Sequence, residues 1–104
     1  MAKKPPKPKR NLQYELWVGS PHEMAHIDVD TSTIPKLRQH AVKAVRDWEP
    51  YCKKFDNGAL GPLRQAIEEI GTVTPQSFGA SGRLAWEFPI ANLPAFRIEL
   101  RHNA

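Results

Sequence analysis

A chain of 104 residues with a single cysteine, Cys52, and a formal net charge of +4 has the length of one domain with little core to spare, and it cannot close an internal disulfide. Its apolar runs last only a few residues, far short of the roughly 20 that a spanning helix needs. No apolar stretch follows the charged N-terminus as a secretory signal requires, so a cytoplasmic protein without a membrane partner is expected.

The charge is unevenly placed. Lys3, Lys4, Lys7, Lys9 and Arg10 supply five of the fifteen basic residues, and the first ten residues hold no acid. The remainder therefore carries ten basic against eleven acidic residues, a net of −1. Residues 1–10, MAKKPPKPKR, combine three prolines with five mutually repelling cations. They are expected to form a disordered, PPII-like basic tail ahead of a small α+β domain over residues 11–104.

From residue 11 the pattern alternates. Leu12, Tyr14, Leu16 and Val18 oppose Gln13, Glu15 and Trp17, the period of a half-buried strand over 11–18. A second alternation over 24–30 sets Ala25, Ile27 and Val29 against His26, Asp28 and Asp30, with Gly19-Ser20-Pro21 as the hairpin loop. Thr31, Ser32 and Thr33 offer N-caps and Pro35 suits a first helical turn. Ile34, Leu37, Ala41, Val45 and Trp48 then recur at helical spacing, with Lys36, Gln39, His40, Lys43 and Asp47 opposite. Pro50 should end or kink this helix near Asp47 to Glu49. Asn57-Gly58 marks a turn. A second helix is expected from Gly61-Pro62 to Gly71, with Leu63, Ala66, Ile67 and Ile70 inward.

Residues 72–82, with Pro75, Gly79 and Gly82, read as a loop. Two alternating runs close the chain: Leu84, Trp86 and Phe88, then Phe96, Ile98 and Leu100, with Pro89, Asn92 and Pro94 breaking the chain between them. The order is ββααββ, which predicts an antiparallel or mixed sheet of about four strands with two helices on one face. The other face should then present Gln13, Glu15, Trp17, His26, Asp28, Arg83, Glu87, Arg97, Glu99 and Arg101. Trp17 stands in the polar phase of its strand, whereas Trp48 and Trp86 fall in apolar phase and read as core.

One string matches a metal motif. His22-Glu23-Met24-Ala25-His26 has the HExxH spacing that on a helix sets two imidazoles on one zinc. Pro21 and the alternation after His26 favour a strand instead, on which His22 and His26 stand about 13 Å apart, too far for one metal ion. No metal or cofactor is therefore expected. Nucleophile candidates are scattered: Cys52, Ser77 and Ser81, with His22, His26, His40 and His102. No G-x-S-x-G, C-x-x-C or phosphate loop organises them, so no catalytic residue is assigned.

The stretch from Leu63 to Arg101 resembles bacterial RelE/HigB-type toxins: a helix ending at Gly71, a loop with Pro75, then Ala85-Trp86-Glu87 and Phe96-Arg97-Ile98. The resemblance implies cleavage of ribosome-bound mRNA, with Arg83, Arg97, Arg101 and His102 in the position of the toxins' basic and polar sheet residues. The remaining features point to a non-enzymatic binding module of 104 residues. In that reading Lys3, Lys4, Lys7, Lys9 and Arg10, with Lys36, Lys43 and Arg46 of the first helix, contact nucleic-acid phosphates. Trp17, Arg83, Arg97 and Arg101 are sheet-face candidates for a stacked base or a protein partner. A protein-interaction or inhibitor module of phage or mobile-element type is the alternative, with an acidic protein as partner and the chain a monomer or homodimer.

Overall fold

The structure is a computed structural model and describes residues 13–20, 22–50, 60–90 and 93–103. The expected basic tail, Cys52 and the Asn57-Gly58 turn lie outside the described residues.

Strands β1 (Tyr14–Ser20) and β2 (Glu23–His26) form an antiparallel hairpin. Its turn is tighter than the sequence suggests. Gly19 and Ser20, expected in the loop, belong to the ladder, opposite Met24 and Glu23. Glycine is required at position 19: its φ is +153°, and a Cβ there would lie 2.2 Å from the Glu23 carbonyl oxygen. The second strand is shorter than the alternation over 24–30 predicts. The Ile27 amide still donates to the Leu16 carbonyl (2.9 Å), but the Val29 amide then donates back to the Ile27 carbonyl (3.0 Å). That i to i+2 bond is a γ-turn centred on Asp28, and it ends the pairing.

Helix α1 (Ile34–Arg46) starts where the caps predict. Thr33 is extended, and its hydroxyl accepts from the Lys36 amide. Just before it, fully buried Thr31 donates its hydroxyl to the Tyr14 carbonyl at 2.6 Å, which fixes the path from sheet to helix. Leu37, Ala41 and Val45 are fully buried, as their spacing of four demands. Helix α2 (Leu60–Ile70) buries Leu63, Ala66 and Ile70 in the same way.

Residues 72–82 are not a plain loop. A single 3-10 turn, Pro75–Phe78, is nucleated by Thr74 and Ser77, whose side chains and backbone cap one another. It drives Phe78 into the core beside Val73. The Arg38 guanidinium reaches across from α1 and donates through Nε to the Val73 carbonyl at 2.8 Å. These are long-range anchors that no local spacing reveals.

Strands β3 (Arg83–Ile90) and β4 (Leu93–His102) complete the sheet. Pro89 and Pro94, expected to break the chain, lie within these strand bounds, with a register irregularity between Phe88 and Ile90. The strand order is β2-β1-β4-β3 and every pairing is antiparallel. The architecture is therefore α+β: among the described residues, one open four-stranded sheet packed against α1 and α2. Tyr14, Leu16, Phe88, Phe96, Ile98 and Leu100 meet the buried residues of α1 and α2 in one core. Trp48 and Trp86 are half-buried and pack on the edge of that core rather than inside it. Among the described residues no helix is long and apolar enough to cross a membrane.

Candidate nucleic-acid interface

Two surfaces carry the candidate residues: the sheet face turned away from the helices, and the outer side of α1. They differ in how their charges are used.

On the sheet face, strand alternation and register bring Trp17, Arg83, Arg97 and Arg101 together. Arg83 stands opposite Arg101, Glu87 opposite Arg97, and Trp17 opposite Glu99. The Arg101 guanidinium lies 4.1 Å from the centroid of the Trp17 ring, a cation–π contact. His26, opposite Trp17 on β2, brings its ring to 5.2 Å. The Trp17 indole donates to Glu15 Oε1 at 2.8 Å, and Asn103 donates to the other oxygen of the same carboxylate.

The arginines are bound to carboxylates. Arg101 donates to Glu99 Oε1 at 3.0 Å and Arg97 to Glu99 Oε2 at 3.4 Å, while Arg83 approaches Oε1 at 3.7 Å. Arg97 also pairs with Glu87 at 2.5 Å. Glu99 lies on the sheet face expected to meet solvent or a partner, yet it is only 4 % exposed. The guanidinium groups of Arg97 and Arg101, on side chains 28 % and 24 % exposed, close over it, while the Arg83 side chain stays 63 % exposed. Three cations thus meet Glu15, Glu87 and Glu99, and the face is close to neutral. Hydrogen bonds from Trp17 and Asn103, opposed by partial burial, hold the Glu15 carboxyl below its ordinary value of 4.5.

The outer side of α1 is different. Lys36, Gln39, Lys43 and Arg46 are spaced by three, four and three residues, so they follow one exposed stripe. Lys36 is committed to Asp30 at 2.8 Å. The ammonium of Lys36, then the hydroxyl and amide of Ser32, hold the Asp30 carboxyl well below the usual carboxylate range. Lys43 and Arg46 make no ion pair with another described residue. They stand in the last turn, where a cation also complements the helix dipole. Arg38, Val42 and Pro35 border the same groove. The Lys36–Asp30 pair was missed in the sequence, although an acid just ahead of an N-cap is the place to look for one.

Among the described residues the candidates for catalysis do not converge. Glu23–His26 is a strand, so the HExxH spacing does not place its two histidines on one helix face. Among the described residues no group of three or more His, Cys, Asp or Glu could hold a metal. Ser77 accepts from the Thr74 amide at 2.9 Å, and Ser81 accepts from the Arg83 amide at 3.2 Å, so both serve local turns. His102, grouped above with Arg83, Arg97 and Arg101, points the other way. Being next to Arg101 on a strand, it must face the core side, where its ring stacks on Tyr14 at 4.8 Å and approaches Phe78 at 5.4 Å.

Comparison with known families, curated proteins and solved structures finds no match to this chain.

Proposed function

We propose that this chain is a small non-enzymatic binding module that contacts nucleic-acid phosphates through the outer side of α1 and the five cations of residues 1–10. The observation that carries this reading is the division of charge between the two candidate surfaces. Arg83, Arg97 and Arg101 are engaged by carboxylates, whereas Lys43 and Arg46 project from one exposed helical stripe without an ion-pair partner among the described residues. A cation already neutralised within the protein releases few counterions from a polyanion; a free one releases its full share. The helix fixes the spacing of these cations and residues 1–10 add five more charges, so the contact is to phosphates rather than base edges.

Binding of labelled duplex DNA and single-stranded RNA oligonucleotides, followed by fluorescence anisotropy at low salt, tests this. The full chain is expected to bind, and Lys43→Glu with Arg46→Glu to weaken that binding at least about tenfold through lost and reversed phosphate contacts. A full chain that binds neither oligonucleotide, or a double variant that binds unchanged, contradicts the proposal.

The open sheet face supports a second reading, a docking surface for a protein. Its charges are balanced, and Trp17 and Arg101 form a stacked pair of the residue types that dominate protein interfaces. The ribonuclease alternative draws less support, because His102 stacks on the opposite face from the three arginines.

A further inference from the structure

Between α1 and the β1–β2 end of the sheet lies a cavity of about 240 Å³. Its walls are apolar: Leu16 and Val18 from β1, Val29 from the segment after β2, Ala44 and Trp48 from the helical side, and Phe96 from β4. Trp48 and Phe96 stack on one another at 4.3 Å, so the aromatic side of the cavity is a stacked pair with Phe96 buried. The polar groups stand on the helical side. His40, Lys43 and Asp47 follow one another at spacings of three and four, and so share a helix face above the apolar floor. None of the three makes a hydrogen bond or ion pair through its side chain to another described residue.

We propose that this cavity binds a free apolar α-amino acid of the leucine or phenylalanine type. The rim offers one cation and one anion a helical turn apart, and an α-amino acid presents its carboxylate and ammonium from a single carbon above an apolar side chain. Lys43 takes the carboxylate, Asp47 takes the ammonium, and the side chain enters against Trp48 and Phe96. A simple apolar acid would set its carboxylate near Asp47 with nothing to offset the repulsion. A simple amine would do the same with Lys43. The cavity is smaller than the roughly 300–1,000 Å³ of pockets that hold drug-sized ligands, which suits an amino acid and excludes a nucleotide. This inference does not depend on the nucleic-acid reading. Lys43 serves both, so the test turns on Asp47 and Ala44, which the phosphate stripe does not use.

The experiment is a nitrogen–proton correlation NMR titration of the full chain with three probes: L-phenylalanine, hydrocinnamate, which lacks the ammonium, and phenethylamine, which lacks the carboxylate. L-phenylalanine is expected to shift the Val29 and Ala44 amides and the Trp48 indole N–H saturably, and to bind more tightly than either analogue. Asp47→Asn, an exposed and conservative change, should weaken L-phenylalanine by about tenfold and leave hydrocinnamate unweakened. Ala44→Phe should fill the cavity and abolish the shifts in a protein that still gives a dispersed spectrum. No saturable shift at these positions with L-phenylalanine overturns the proposal. So does equal binding of all three probes, or an Asp47→Asn variant that binds L-phenylalanine as before.

Discussion

Glu99 is 4 % exposed on the open face of the sheet, and its neighbours explain how a carboxylate comes to be covered there. It sits on β4, a central strand, with Arg97 and Arg101 two residues to either side and Arg83 across on β3. Burying a carboxylate is costly unless cations and hydrogen bonds compensate it. Glu99→Gln preserves volume but removes the charge to which the arginines are bound. Because those heads can rehydrate, the expected loss is about 1–2 kcal/mol, below the 3–5 found for a fully buried pair. Urea unfolding measures it, and an unchanged midpoint would show that the cluster contributes nothing to stability. Glu15 supplies a pH-dependent counterpart. Its carboxyl is held below its ordinary 4.5, chiefly by the Trp17 indole, so the folded state binds this proton less readily than the unfolded chain. Its stabilisation is complete above pH 4.5 and is lost as the pH falls through the lower folded value. Glu15→Gln is expected to flatten the stability curve below pH 4.5, read by thermal unfolding across pH 3–6; an unaltered acid limb would contradict the assignment.

At the scale of elements, the β1–β2 hairpin depends on the absence of one side chain. A Cβ at position 19 would sit 2.2 Å from a backbone oxygen that has little freedom to move. Gly19→Ala should therefore cost more than the ~1 kcal/mol of an ordinary strained glycine replacement. The loss would appear first as faster amide exchange in β2, and unchanged protection there would show that the turn can relax. Much of this architecture was legible from local spacing. The stripe Leu37, Ala41, Val45 and the alternation Phe96, Ile98, Leu100 each state which face is inward. The Thr33 cap and the Gly71 stop bound the helices. The 3-10 turn at Pro75–Phe78 was not legible, because Phe78 is a single apolar residue in a polar stretch and its burial depends on Tyr14 and His102, far away in sequence. Strand β2 was over-extended because Ile27 and Val29 keep their alternation after the ladder ends, still packing on the core from a turn. Of the candidate sites, alternation alone set Trp17 with Arg83, Arg97 and Arg101. It could not show that Glu99 ties those arginines together, since that depends on cross-strand register.

For the whole molecule, what matters is which charges are already spent. The chain carries +4 in total, but the sheet face consumes its arginines internally, and Lys36 is held by Asp30. Among the described residues Lys43, Arg46 and Arg64 are exposed without an ion-pair partner. In the proposed reading the first two, together with the cations of the first ten residues, contact the polyanion. Salt dependence is the direct reading of such a partition, because each phosphate contact adds about −0.9 to the slope of log binding constant against log salt on duplex DNA. The decisive measurement is that slope for the full chain, for Lys43→Ala with Arg46→Ala, for a chain lacking residues 1–10, and for Arg83→Ala. The account predicts a slope shallower by about 1.8 for the helix pair, by as much as about 4.5 for the truncated chain, and unchanged for Arg83→Ala. A slope that flattens on losing Arg83 and holds steady on losing Lys43 and Arg46 would contradict it.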